Sequence, residues 1–401
     1  MKGPSNKVSV VMYLLAFAVI TFGIGFSTKY SGFNHPQYSL VDNFRLSLIV
    51  FNLIIIVRFM GFLINNRALA KRRNIFVSAL SVLFILFVLE GVFMFVPKSY
   101  GKGDPNNLAE RLWFSKYWQV NQLGYRDTEL NPESDQDKFK IAILGDSFVA
   151  GHGIEDVNDR FSNILGNQLG SNYRVYNMGL NGADTQAEFD KLVTFPIKSN
   201  LIVLVHYPND IQRVPDRSAE SSCADDNINL VYAQLLNLSL SKGIIQYSYL
   251  LNYFYYKFES AVKIFPNTHR GKTTKDHMLE DHNRNNYQSF YLREGMFREH
   301  LQNLNRFIAI TEREGIPLMI MLIPETWDET IDYSGEYINK PLGRFFSQRG
   351  IPVLDLYILL KQIPIEERVV SNRDAHLSVI SNKQIGSVLY DFINDNHLIS
   401  N

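Results

Sequence analysis

Five short apolar segments constrain the fold: FKIAIL (139–144), YRVYNM (173–178), LIVLVHY (201–207), PLMIMLI (317–323) and IPVLDL (351–356). They are continuously apolar and mostly rich in branched residues, the composition of strands buried on both faces. Helical spacing of apolar residues follows them over 184–195, 294–314, 334–349 and 378–395. Strands alternating with helices predict an α/β fold, a parallel five-stranded sheet covered by helices on both faces. The chain's 401 residues leave room for more than this one layer set.

The longest apolar runs lie elsewhere, in the first hundred residues. Val8–Ser27, Leu46–Ile64 and Ile75–Val96 each approach the ~20 residues that cross a bilayer, so three transmembrane helices are expected (8–27, 46–64, 75–96). The first run also fits a signal peptide, but it is long, lacks a clear small-x-small cleavage site and is followed by two more runs. The second run holds Arg58, close enough to the Asn65 end to snorkel. Glu90, late in the third, is either interfacial or paired with Arg58. The loop NNRALAKRRN (65–74) carries Arg67, Lys71, Arg72 and Arg73, which places it on the cytoplasmic side. The N-terminus is then cytoplasmic too, and everything after Pro97 lies beyond the inner membrane, in a periplasmic or extracellular space.

The expected division is a membrane anchor over 1–97, a connector over 98–138 and an α/β domain over 139–401 with an insertion at about 211–290. The aromatic stretch GIIQYSYLLNYFYYKFESAVKIF (243–265) inside that insertion reads as a helix packed on the domain. The other reading is a surface on the membrane or along a substrate groove. Lysine plus arginine and aspartate plus glutamate each total 40, so no net charge argues for nucleic acid as a partner. The single cysteine, Cys223, excludes an internal disulfide and a thiolate metal cluster. No metal or cofactor is expected.

Chemistry enters where the first strand ends. The segment IAILGDSFVAGHG (141–153) runs from a strand into Gly-Asp-Ser and small residues. Reactive groups in such sheets sit just past the carboxyl ends of the strands, where Ser147 would stand. Gly182 in NMGLNGADT follows the second strand, Asn209 in HYPNDI follows the third, and Asp374 and His376 lie in NRDAHLS near the C-terminus. A serine hydroxyl needs a base, which His376 supplies, and an orienting carboxylate, which Asp374 supplies. The Ser147 N–H, the Gly182 N–H and the Asn209 amide are the expected oxyanion donors, each worth up to ~3 kcal/mol of barrier. Asp146 and Asp210 read as turn or cap groups, His206 as a satisfied core histidine and Asp355 as structural.

The set Ser147, Gly182, Asn209 and His376 resembles the four blocks of the SGNH hydrolases, or GDSL-type esterases, from about Asn121 to Ile399. The resemblance implies a flavodoxin-like three-layer α/β/α fold and metal-free acyl-ester chemistry. NQLGYRD leading to GDSFVAGHGI is similar to a membrane-anchored branch found among envelope-polysaccharide proteins. Two positions depart from the family pattern. Tyr207 replaces the glycine of Gly-x-Asn-Asp, where its ring would narrow the substrate pocket or stack on a sugar. Asp374 stands two residues before His376 instead of three, and Arg373 holds the third position.

These readings converge on a membrane-anchored serine hydrolase. Its expected substrates are acyl esters, chiefly acetyl, of envelope carbohydrate, with lipid as the other acylated substrate. The alternatives are an O-acyltransferase supplied by an outside donor or a multi-span acyltransferase partner, a phospholipid-directed lipase or thioesterase, and an inactive binding or assembly component.

Overall fold

A computed structural model describes residues 6–30, 40–65, 73–99, 106–211, 245–262, 290–327, 331–371 and 374–399. Two compact units emerge, Met1–Trp118 with Asp225–Val262, and Gln119–Ala224 with Lys263–Asn401.

The first unit is helical, because a long apolar run must pair its own backbone groups. Its elements are α1 (Asn6–Tyr30), α2 (Leu40–Asn65), α3 (Arg73–Phe93) and α4 (Leu108–Tyr117), joined by the helix Tyr249–Val262. The expectation of three spans is corrected to two. Among the described residues only Phe44–Asn65 and Arg73–Phe93 are long and apolar enough to cross a membrane. The described apolar part of α1, Val10–Ile24, reaches about 22 Å at 1.5 Å per residue, short of a ~30 Å hydrocarbon core. The cationic loop between α2 and α3 lies outside the described residues, apart from its ends.

Glu90 finds its partner in Arg45, at the start of α2, in place of Arg58. The Glu90 carboxylate also accepts bonds from Ser248 Oγ (2.6 Å) and from the backbone N–H groups of Tyr249 (2.8 Å) and Leu250 (3.0 Å). Those amides are the orphan donors of a helix start, so an acid near the end of α3 caps the helix Tyr249–Val262. Asn252 ties the same helix to the start of α4, accepting from Leu108 N at 2.8 Å and donating to Asn106 O at 2.8 Å. Within the first unit, the helix Tyr249–Val262 of the aromatic stretch therefore packs with α3 and α4. Buried polar partners fix this helix: Glu90 and Asn252 are 6% and 0% exposed.

The second unit is built on five parallel strands, β1 (Phe139–Gly145), β2 (Tyr173–Gly179), β3 (Leu201–His206), β4 (Leu318–Leu322) and β5 (Val353–Asp355), in the order β2-β1-β3-β4-β5. This is the flavodoxin-like order, with its topological switch between β1 and β3. Period-two alternation divides the strands between two cores. Ile141, Ile143, Val203 and Val205 pack with α6 (Phe161–Leu169) and a C-terminal helix, Val379–Asp395, through Phe161, Leu165, Ile385 and Leu389. Ala142, Leu144, Ile202 and Leu204 pack on the other face with Leu304 and Phe307 of the helix Glu294–Glu314 and with Phe346 of the helix Lys340–Ser347. The expected three-layer α/β/α fold is the observed one.

Among the elements outside the expected pattern are α6 and an antiparallel pair, β6 (Val369–Ser371) and β7 (Asp374–Leu377). The last two are too short for any periodicity to register. The expected helix at 334–349 begins with a π-helical turn over Gly335–Asn339 before α-helix resumes at Lys340. At the carboxyl edge of the sheet, Gly145 pairs with Gly179. A Cβ on Gly179 would stand 2.1 Å from Ala150 N, so the missing side chain is what lets β2 approach the segment after β1.

Candidate active site

The segment after β1 turns at once into a one-turn helix, α5 (Ser147–Ala150). Asp146 caps it, its Oδ1 accepting from Phe148 N at 2.8 Å, and Gly151 ends it at φ +73°. Ser147 thus stands at the carboxyl edge of the sheet, beside the switch between β1 and β3. Two buried arginines hold the turn in place. Arg126 Nη1 donates to Gly151 O and its Nη2 to Ile154 O, both at 2.6 Å. Arg160 Nη1 donates to Ala150 O at 3.3 Å and to the Arg126 carbonyl. Burial, with the neighbouring Arg160 charge, brings the Arg126 pKa down to about 9. The adjoining Asp127 accepts from Asn177 N at 3.0 Å, fastening the same loop to β2.

Asp374 and His376 lie on β7, and the strand explains their spacing. Residues i and i+2 of a strand point to one face, so two residues suffice to bring carboxylate and imidazole together. Asp374 Oδ1 meets His376 Nδ1 at 2.5 Å and also accepts from His376 N at 3.1 Å. On the far side of the ring, His376 Nε2 lies 2.7 Å from Ser147 Oγ. With the proton on Nδ1, facing the carboxylate, Nε2 is left as the acceptor for the serine hydroxyl. Burial presses the His376 pKa down, but the Asp374 charge and hydrogen bond outweigh it, with Asp146 adding to them, and the ring titrates above its usual value. The ring's 20% exposure is consistent with that outcome. Burial pushes the Asp374 carboxyl up, yet His376 and His152 together hold it well below the usual carboxylate range.

Two of the remaining expected residues, Asn209 and Tyr207, connect to this contact through Asp146 and Phe148. Asn209 sits in the turn Pro208–Ile211 directly after β3, and its side chain hydrogen-bonds the Asp146 carboxylate. Asp146 therefore caps α5 and also orients Asn209, a second task that the cap-only reading did not include. Gly182 lies on the turn after β2 at φ +73°, a conformation that favours glycine. The Tyr207 ring is 5% exposed and stacks on Phe148 with centroids 3.9 Å apart, while its hydroxyl donates to Glu325 Oε1 at 2.6 Å. Phe148 in turn packs on the His376 ring at 4.8 Å. Tyr207 backs the site through Phe148.

The chain is similar to a solved protein of the G-D-S-L family from Desulfitobacterium hafniense DCB-2, described as lipolytic, with 12% identity and a TM-score of 0.36 over 64% of this chain and 99% of that one. It is also similar to a carbohydrate acetylesterase family member from Sinorhizobium meliloti, with 15% identity and a TM-score of 0.34 over 64% of this chain and 97% of that one. No family model and no curated protein matches the chain.

His206, Asp210 and Asp355 are each held by neighbours within the fold. His206 Nε2 lies 3.0 Å from His300 Nε2 and 3.2 Å from the Tyr291 hydroxyl, and burial depresses both imidazoles, His300 to about 3. Asp210 closes its own turn by accepting from Tyr207 N at 2.8 Å, and Asp355 accepts from Asn339 Nδ2 at 2.8 Å. Two residues in this region escaped the sequence reading. Arg126 stood inside the NQLGYRD motif without an assigned role. His152 stood in the glycine-rich stretch five residues after Ser147, where an imidazole among small residues was the available signal. Ligand atoms of His152, Asp374 and His376 lie within 4.8 Å of one another, a spacing within reach of one metal ion. Asp374 Oδ1 and His376 Nδ1 are already engaged with each other, however, as a serine-activating pair requires.

Proposed function

We propose that this chain is a membrane-anchored serine hydrolase that removes acyl groups, chiefly acetyl, from esters of cell-envelope carbohydrate. The observation that carries this reading is the continuous relay Ser147 Oγ–His376 Nε2 (2.7 Å) and His376 Nδ1–Asp374 Oδ1 (2.5 Å). His376 takes the hydroxyl proton as Ser147 Oγ attacks the ester carbonyl. The Ser147 and Gly182 N–H groups and the Asn209 amide stabilise the oxyanion. Asp374 stays ionised and stabilises the imidazolium. Collapse returns the proton from His376 to the departing alcohol and leaves an acyl-serine. Water then resolves the acyl-enzyme; a sugar hydroxyl in its place would make the protein an O-acyltransferase.

The membrane part of the proposal is supported by two long apolar helices and by the cationic loop 65–74. That loop sets the direction of α3 whether or not α1 crosses, so the second unit is assigned to the periplasmic or extracellular side of the inner membrane. The exposed Leu251 and Phe254, the latter beside Phe93 at the end of α3, suit a helix lying at the lipid boundary.

A fluorophosphonate probe tests the chemistry. The full-length protein takes the label at Ser147 and Ser147→Ala does not; a folded protein that stays unlabelled is an inactive assembly component. Mass spectrometry of envelope glycans from Ser147→Ala cells separates the two reactions, because lost hydrolysis adds acetyl mass and lost transfer removes it. Activity on p-nitrophenyl esters that rises with chain length would redirect the assignment to lipid. The pH dependence is also fixed in sign. Only neutral His376 accepts a proton, and its pKa is raised, so kcat/KM falls as pH drops through a midpoint above the ordinary imidazole value of about 6.5.

A further inference from the structure

We infer that His152 is a positioning residue for the triad, its Nδ1–H holding Oδ2 of Asp374 so that Oδ1 stays aimed at His376. The inference rests on the reading of Ser147, His376 and Asp374 as the catalytic set. His152 follows α5 directly, with its side chain 3% exposed and its Nδ1 3.2 Å from Asp374 Oδ2. The same nitrogen lies 3.1 Å from His376 Nδ1, and the two rings sit 4.3 Å apart. His376 must carry its proton on Nδ1 to leave Nε2 open to Ser147. Two ring nitrogens that each face one oxygen of a single carboxylate are then both donors, and their mutual approach follows from sharing that acceptor.

The clamp answers a need created by the sequence. With only one residue between them, Asp374 and His376 hang from adjacent same-face positions of a four-residue strand. A carboxylate there can rotate about its own side chain unless its second oxygen is held. His152 supplies that hold from the nucleophile's own loop, so one imidazole ties the Ser147 turn to the strand bearing the base. Burial and the His376 charge keep His152 below its usual pKa, which leaves it neutral with a single N–H to direct. The titratable and charged groups facing His376 are Asp374 on β7, Asp146 ahead of α5 and His152 beyond it, with Arg126 acting on His152 from behind.

The test reads the His376 midpoint without relying on turnover. Full-length protein in detergent is treated with diethylpyrocarbonate across a pH series, and modification at His376 is followed by peptide mass spectrometry. Removing the His152 N–H frees Asp374 Oδ2, so the carboxylate rotates and Oδ1 loses its aim at His376 Nδ1. The Asp374 charge and hydrogen bond are what raise the His376 pKa, so its midpoint falls by about half a pH unit in His152→Leu. His152→Gln, which keeps polarity but displaces the donor, moves it in the same direction and serves if the leucine variant does not fold. His152→Asn places an amide N–H where Nδ1 stood and restores the wild-type midpoint. In parallel, kcat on an acetyl ester falls about tenfold in His152→Gln with KM little changed and recovers in His152→Asn. An unchanged or raised His376 midpoint in the folded leucine or glutamine variant overturns the inference, as does an asparagine variant shifted as far as they are. If the wild type neither hydrolyses esters nor takes the Ser147 label, the hydrolase reading fails, while the His376 midpoint still decides the part His152 plays.

Discussion

Ser147→Ala lowers kcat on an acetyl ester by about 10⁴-fold or more and leaves KM close to wild type. The Oγ atom that the substitution removes contacts His376 Nε2 at 2.7 Å and Asp146 Oδ2 at 3.5 Å, neither of which holds the fold together. The α5 cap comes from Asp146 through Phe148 N and survives the change. Ser147→Ala is thus expected to keep its thermal transition, and the loss is chemical. His376→Ala produces a loss of similar size, because a serine without a base is no better a nucleophile than an alcohol in water. Combining the two costs little more than either alone, since each already removes the activated nucleophile. Steady-state kinetics on the three variants checks this. Losses that multiply in the double variant would mean that serine and histidine act in separate steps.

Arg126→Leu destabilises the α/β unit by about 3–5 kcal/mol, the second large effect. Arg126 is 1% exposed and serves the carbonyls of Gly151 and Ile154 at 2.6 Å, with Ala150 more distant at 3.4 Å. Leucine fills part of the volume but donates nothing, and each buried carbonyl left without a donor costs ~1–3 kcal/mol. Arg160 retains its bond to Ala150 O and limits the damage at that one group. The expected fall in apparent Tm is roughly 10 °C, measured in detergent on full-length protein. Arg126→Lys recovers only part of it, because an ammonium is a point donor and cannot span two carbonyls as a planar guanidinium does. Fluorophosphonate labelling at Ser147 slows in parallel, since the same carbonyls set the path of the chain from α5 to α6.

The sheet was legible because buried parallel strands declare themselves by composition alone. All five apolar runs became strands, with ends shifted by a residue or two, and the helix expected at 294–314 spans Glu294–Glu314. The position of the candidate site was legible for a related reason. Ser147 and Asn209 each follow a strand of a parallel sheet, and in such a sheet every strand ends at the same rim. Chain order along 139–210 therefore already places both at that rim.

Residues that do not follow a sheet strand required coordinates. Asp374 and His376 belong to a four-residue strand of a separate hairpin, and its extended backbone turns a two-residue spacing into a same-face pair. The hold of His152 on Asp374 crosses 222 positions, and that of Arg126 on the nucleophile turn crosses 25. No local pattern encodes either distance. In the first unit, apolar length marked the helices but left Glu90 with two candidate explanations. Packing gave it a third, pairing with Arg45 and capping a helix that begins at Tyr249. The sequence by itself determined which segments are buried and which residue types can react, because burial and reactivity are properties of composition and local order. Only the tertiary structure decided which buried polar group answers which, because hydrogen bonds are satisfied in space between groups far apart along the chain.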